Sequence, residues 1–361
     1  MLSTLFFILP LILFYTIIVV YAERKISAFM QDRLGPMEVG YYGLLQTVAD
    51  LLKLLQKEDI VPAAADKKLF KLAPLLIFVP IFLGFSVLPL SPAWSASPFS
   101  SALFFLLAII SLDVIGIIIA GWASNNKYSM LGTLRSAAQI ISYEVPLSIS
   151  VLCACVLAQS LDLQEISFQQ GILSNDQTNY LFGIKSLGID VTEIGGFLTW
   201  NVFRMPVLFF AWSIFFIASL AESNRAPFDL PEAESELVAG FQTEYSGFRW
   251  AVIMLAEYAM MLLVSFAGVI LFWGSWNTPL PNMGTLALAD WTTGVPGSIG
   301  FHVWGIFWIV SKTFFTVALQ IWVRWTYPRI RIDQLTSLSW KFLTPLALLL
   351  LVICSLWKLL L

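Results

Sequence analysis

Charge is what this sequence has least of. Of its 361 residues only 12% are Asp, Glu, Lys or Arg, whereas 58% are hydrophobic, and the mean hydropathy is +0.82. That is about half the charged share of ordinary globular domains. So few polar residues cannot cover a water-exposed surface, which excludes a soluble chain. Histidine is nearly absent as well: His302 stands alone, and Cys153, Cys155 and Cys354 all lie inside apolar stretches. Structural zinc and iron–sulfur sites need about four such ligands, so no metal site is expected in this chain. Also missing are a GxGxxG turn, a GxxxxGK[ST] loop, an HExxH pair and a GxSxG elbow. Redox centres and nucleotides must therefore be held elsewhere. A net charge of only -3 gives no case for nucleic acid as a partner.

What is present is long runs of Leu, Ile, Phe and Ala, without the ten-residue alternation of an outer-membrane barrel. The fold class that remains is an all-α, polytopic membrane protein with about eight transmembrane helices, forming one integral-membrane domain over residues 1–361. A helix needs about 20 apolar residues to cross a hydrocarbon core of about 30 Å. Runs of that kind occupy residues 2–22, 70–90, 100–122, 142–161, 197–220, 248–273, 300–323 and 340–360. The first has no Lys or Arg ahead of Arg24, unlike the basic start of a cleaved signal peptide, and is expected to remain as an anchor. Sixteen of the 20 basic residues fall on the loops of one side, and only Lys185 and Lys358 on the other. The basic side faces the cytoplasm or its organellar equivalent. Both termini are then expected on the outer, periplasmic side.

Residues 41–57 place Leu44, Leu45, Val48, Leu51, Leu52 and Leu55 on one helical face, opposite Gln46, Asp50, Lys53 and Lys57. Too polar to span, this segment is expected to be an amphipathic helix in the inner interface. The inner segment 221–247 carries Glu222, Asp229, Glu232, Glu234, Glu236 and Glu244. The order Asp229-Leu-Pro-Glu232 resembles a capping box and predicts a short helix. On a solvated loop these acids would titrate independently; in a confined space they would perturb one another. The outer segments 162–192 and 275–299 are rich in Ser, Asn, Gly and Pro and are expected to be peripheral loops with short helical pieces.

Away from the charged ends of the proposed spans lie Asp113, Glu144, Arg204, Glu257 and Lys312. A charge near a span centre costs about 2.5–3.5 kcal/mol on insertion scales, so each needs a reason. Static pairing between helices, such as Lys312 with Glu257 or Glu144, would explain any one of them. Taken together with the acidic inner loop, they favour a proton path.

Six strings carry a family resemblance: Glu23 to Pro36 (ERKISAFMQDRLGP), Tyr42 to Gln46 with Ala49-Asp50, Gly121 to Asn125 (GWASN), Arg135 to Pro146 (RSAAQIISYEVP), Ala221 to Asp229 (AESNRAPFD) through Glu236-Leu237, and Arg324 to Leu335 (RWTYPRIRIDQL). The chain resembles, from first span to last, the H/first membrane subunit of respiratory complex I, the NADH-quinone oxidoreductase. The resemblance implies a subunit without catalysis of its own, forming the quinone access chamber against the peripheral arm and coupling quinone reduction to proton translocation. It implies quinone contacts from Arg24, Lys25, Gln31, Arg33, Asp50, Arg225, Phe228 and Asp229. It implies a proton-coupling set of Glu144, Glu222, Glu232, Glu234, Glu236 and Glu257, to which the intramembrane Lys312 is added on depth. Quinone is then the substrate, with FMN and iron–sulfur clusters in partner subunits. The partners implied are the peripheral-arm subunits of the quinone site and terminal cluster, the small membrane-arm subunits, the antiporter-like subunits and lipid. The membrane is expected to be a bacterial plasma membrane rather than a mitochondrial inner membrane. The equivalent component of a hydrogenase-type ion pump and a stand-alone transporter are the alternative readings. Asp113 lies outside every matched string.

Overall fold

The computed structural model describes residues 2–92, 99–174, 180–184, 188–230, 237–282 and 286–360. Among them the chain is helical and carries no strand beyond an isolated bridge between Tyr180 and Asp190. The longer helices are α1 (Leu2–Met30), α2 (Gln46–Gln56), α3 (Lys67–Gly84), α4 (Ala102–Ala123) and α5 (Lys127–Ala158). They continue with α6 (Pro206–Glu222), α7 (Gly247–Phe272), α8 (Ile299–Thr326) and α9, which runs over Ile332–Leu360 with a π turn at Ser339–Leu343. Among the described residues, six helices are long and apolar enough to cross a membrane: Lys67–Val87, α4, α5, α7, α8 and α9. The chain is therefore a polytopic, all-α membrane protein. The shorter α6 is also apolar, and α2 has its leucines on one side.

α7 is the central element. Every residue from Tyr258 to Phe272 is buried, as α3, α6 and α8 pack around it. α5 packs against α4, α6 and α9.

Three of the boundaries that differ from the hydropathy reading have a local reason. α5 starts at Lys127 rather than near residue 142, with Asn126 accepting the Tyr128 amide at 2.9 Å as its N-cap. Its polar first half looks like loop because Ser129, Thr133, Ser136 and Gln139 interrupt the apolar run, yet all four are buried. Gln139 donates to the Ala221 carbonyl at 2.8 Å and to Asn224 at 3.2 Å. α6 starts at Pro206 rather than near 197, because Met205 ahead of the proline is extended (φ -128°, ψ 98°). The short helices Gly196–Thr199 and Asn201–Arg204 precede it. α2 starts at Gln46 rather than 41, since Gly40 and Gly43 both sit at left-handed φ (76° and 77°). A side chain at Gly43 would meet the Pro36 carbonyl oxygen at 2.3 Å.

The two outer segments are joined to each other rather than solvated separately. Asn282 donates its amide to the Ile194 carbonyl at 2.7 Å, Phe197 to Pro279 at 3.2 Å, and the Asn277 side chain to Ser167 at 2.9 Å. Gln170, fully buried, donates to the Ile270 carbonyl at 2.8 Å and accepts the Gly274 amide at 3.0 Å.

The inner end of α5 rests on a backbone approach that leaves no room for a side chain. A Cβ on Gly132 would lie 2.6 Å from the Gly240 Cα. Gly132→Ala is expected to destabilise the protein by about 1–3 kcal/mol, the usual cost of overpacking. A thermal unfolding midpoint equal to wild type would show that the two segments separate freely.

Candidate functional site

All ten residues from Ala221 to Leu230 are buried, so this first part of the acidic segment is interior and not a solvated loop. The chain leaves α6 through Asn224 at φ 48°, with the Arg225 amide returning to the Leu220 carbonyl at 3.0 Å. Ile330 donates to the Pro227 carbonyl at 3.2 Å and ties the segment to the start of α9. Glu232, Glu234 and Glu236, with the short helix expected at their start, lie outside the described residues.

Glu222 ends α6 beside a cavity that it shares with Asp113 of α4 and Glu257 of α7. Ile77, Ile117, Ile253 and Phe241 supply apolar walls. The cavity holds ≈ 10 Å³, counted as space open to the centre of a water molecule, which is room for about one water. Asp113 Oδ1 and Glu222 Oε2 are buried with no hydrogen-bond partner among the described residues. Glu257 accepts from the Gln242 amide at 2.5 Å. Glu144, midway along α5, accepts from Ser111 of α4, and Glu222 interacts electrostatically with both Asp113 and Glu144. Carboxyls gathered in a low-dielectric space titrate as a group, so a proton gained by one alters the others.

A second cluster lies three residues further along. Glu23, at the end of α1 and 6% exposed, accepts from Arg324 of α8 and from the Tyr258 hydroxyl at 2.8 Å, and lies 3.6 Å from Arg225. The Arg225 guanidinium stacks 4.2 Å from the Tyr258 ring centroid. Glu23, Arg225, Gln320 and Arg324 line a narrow cleft here. The tetrad Glu222-Ser223-Asn224-Arg225 thus joins the two clusters: its first three members line the acidic cavity and its last the cleft.

At the mouth of α1, Arg24 pairs with Asp50 of α2 at 2.5 Å, with Lys53 at 3.7 Å and Gln46 at 3.2 Å from the same carboxylate. Partial burial acts to raise the Asp50 pKa, but the Arg24 hydrogen bond and charge, helped by Gln46 and Lys53, hold it below the ordinary carboxylate value. Lys25 donates to the Leu34 carbonyl at 3.2 Å, while Gln31 and Arg33 are exposed. Leu44, Leu45, Leu51, Leu52 and Leu55 of the amphipathic segment face outward. Asp229 pairs with Arg329 at 3.0 Å, and Phe228 packs on Tyr143 with ring centroids 5.1 Å apart.

Of the residues singled out by sequence, Arg24 meets Asp50, Arg225 meets the Glu23 cluster, and Glu222 meets Glu257. Lys312 joins none of them: its ammonium donates to the carbonyls of Trp273, Ser275 and Asn277. Arg204 likewise caps outer structure, donating to Gln169 and Asn201 at 3.0 and 3.2 Å. The sequence reading missed Glu23, Arg324, Tyr258 and Arg329 as site residues, although three of them lie inside strings it matched. Asp113 signalled itself only by depth in its span.

The sequence model of the NADH dehydrogenase family matches residues 2–355. A Cytophaga hutchinsonii protein, named as a second H-type subunit of NADH-quinone oxidoreductase, is 60% identical over 354 residues, covering 97% of both chains. The H-type subunit of the Chlorobium luteolum NADH-quinone oxidoreductase is 52% identical over 338 residues, 94% of this chain and 83% of that protein. The Geobacillus kaustophilus protein of the same name is 42% identical over 352 residues, 97% of this chain and 92% of its own. With the family model spanning nearly the whole chain and relatives this similar end to end, the chain belongs to the NADH dehydrogenase family of membrane proteins, alongside the H-type subunits of NADH-quinone oxidoreductase.

Proposed function

We propose that this chain forms the quinone access chamber of a proton-translocating NADH:quinone oxidoreductase, where membrane and peripheral arms meet, and couples quinone reduction to proton translocation through its buried carboxylates. The outward leucines of α2 supply a greasy wall for an isoprenoid tail. The Arg24–Asp50 pair and the Glu23–Arg225–Arg324 cluster offer charge-assisted hydrogen bonds near its headgroup. Lys25, Gln31, Arg33, Phe228 and Asp229 complete the chamber. Flavin and iron–sulfur clusters belong to partner subunits, with antiporter-like subunits receiving the coupling signal. Eight crossings, both termini outside, and the basic loops toward the cytoplasm of a bacterial cell complete the reading; the relatives named above are bacterial.

The observation that carries it is the tetrad Glu222 to Arg225, one continuous stretch touching the charged cleft at one end and the acid cavity at the other. Two electrons delivered to a quinone call for two protons, and protons drawn from neighbouring groups change the charge beside Arg225. That change is passed to Glu222, and through it to Asp113 and Glu144, which interact with it electrostatically, and to Glu257, which lines the same cavity. We assign Glu232, Glu234 and Glu236, which lie outside the described residues, to the same proton-coupling set.

Glu144→Gln in the assembled complex tests this. Quinone-dependent NADH oxidation is expected to fall severalfold, while NADH oxidation by an artificial acceptor that draws electrons ahead of the quinone stays near wild type. Full quinone reductase activity with full proton pumping would remove Glu144 from the route.

A further inference from the structure

α8 carries a lysine halfway along its length, and the structure surrounds it with oxygen atoms that have no proton to exchange. Lys312 Nζ donates to the carbonyls of Trp273 at 2.9 Å, Ser275 at 2.9 Å and Asn277 at 2.6 Å. An ammonium has three hydrogens, and all three are used. Its remaining side lies over the Trp200 indole, 4.1 Å from the ring centroid. Trp200 is itself buried, and a Cβ on Gly274 would fall 2.0 Å from its Cδ1, so the indole and the turn after α7 are in direct contact. Gly274 and Ser275 both sit at positive φ (72° and 43°), a reversal that turns these carbonyls toward one point.

A ring of backbone carbonyls closed by an aromatic face is how proteins replace the hydration shell of a small cation. The last carbonyls of α7 also form the negative end of its helix dipole. Proton relay is a poor use of such a site. A lysine that passes a proton needs a base to receive it, and peptide carbonyls are extremely weak bases.

We propose that Trp200 and the Trp273–Asn277 turn form a monovalent-cation cage, which Lys312 fills as a tethered ammonium and thereby fixes the outer end of α7. Lys312 is a positioning residue: α7 carries Glu257 in the acid cavity and Tyr258 under Arg225, and its seating sets where both stand. The cage recognises a primary ammonium, so it accepts one from solution when the tether is cut.

Lys312→Ala removes three methylenes and the ammonium, the shape of n-propylammonium. In the purified complex its unfolding midpoint is expected to drop several degrees and to recover partly in n-propylammonium chloride. Tetramethylammonium chloride at equal ionic strength, which has no N–H to donate, is expected to restore nothing. An unshifted midpoint, or equal recovery in both salts, overturns the cage. A second measurement avoids vacating it. Trp200→Leu is expected to lower the midpoint in the Lys312 background and to have little effect when Lys312 is replaced by methionine, which keeps the volume without the charge. Losses that simply add overturn the proposal. Where a variant fails to accumulate, the same comparisons are read as yield of assembled complex, with Lys312→Arg expected to exceed Lys312→Met; the reverse order counts against it.

Discussion

Glu23→Ala is expected to cost about 3–5 kcal/mol, the usual penalty for breaking a buried ion pair by removing one partner, and to abolish most of the assembled protein. The magnitude follows from what stays behind. Glu23 is 6% exposed and is the shared acceptor for Arg324, Arg225 and Tyr258. Among the described residues, Arg225, 7% exposed, has Nε and Nη2 without hydrogen-bond partners even with Glu23 in place. Two guanidinium groups that meet at Glu23 Oε1 would be left without the carboxylate they share. Glu23→Gln retains an acceptor oxygen for Tyr258 and is expected to lose less. Arg24→Ala, one residue along, removes a pair whose arginine side chain is 44% exposed, and exposed pairs are worth about 0–1 kcal/mol. Quantifying assembled complex on native gels, with thermal unfolding of whatever accumulates, separates the three. Equal yields for Glu23→Ala and Arg24→Ala would mean that the cluster around Glu23 is far wetter than its burial implies.

The same cluster marks how far the sequence could be read. Hydropathy and charge placed the apolar helices, because crossing a bilayer demands long apolar runs whatever the partners are. Patterning also located the amphipathic segment, whose leucines face outward from α2. Pairing was another matter. Glu23 lies 202 residues from Arg225 and 301 from Arg324, and nothing in the spacing of such residues says that they meet. Lys312 was visible as a buried charge, yet its partners are backbone carbonyls, which every residue carries and no sequence pattern marks. The first half of α5 was hidden for the opposite reason. Ser129, Thr133 and Gln139 look like loop until Phe241, the Ser129 carbonyl, and Ala221 with Asn224 are seen to accept from them.

Glu222→Gln in the assembled complex is expected to lower quinone-dependent NADH oxidation by at least about tenfold, below the 10²–10⁴ that a group transferring a proton directly contributes, with oxidation by an artificial acceptor near wild type. Glutamine keeps the size of the side chain and its buried seat, so the loss would come from the missing proton site rather than from packing. Asp113 decides whether the cavity works as a unit. It belongs to no matched string, yet its carboxyl shares the cavity with Glu222, and the two unpartnered oxygens are Asp113 Oδ1 and Glu222 Oε2. One water between them is what the volume allows, and a water bridging two carboxyls links their protonation. Asp113→Asn alone is therefore expected to impair turnover, and combined with Glu222→Gln it should add little to the larger single effect, because groups acting together are strongly non-additive. Rates that multiply in the double variant would place the two acids on separate routes, and an Asp113→Asn complex with full turnover and full proton pumping would leave Asp113 as a buried acid that the coupling does not use.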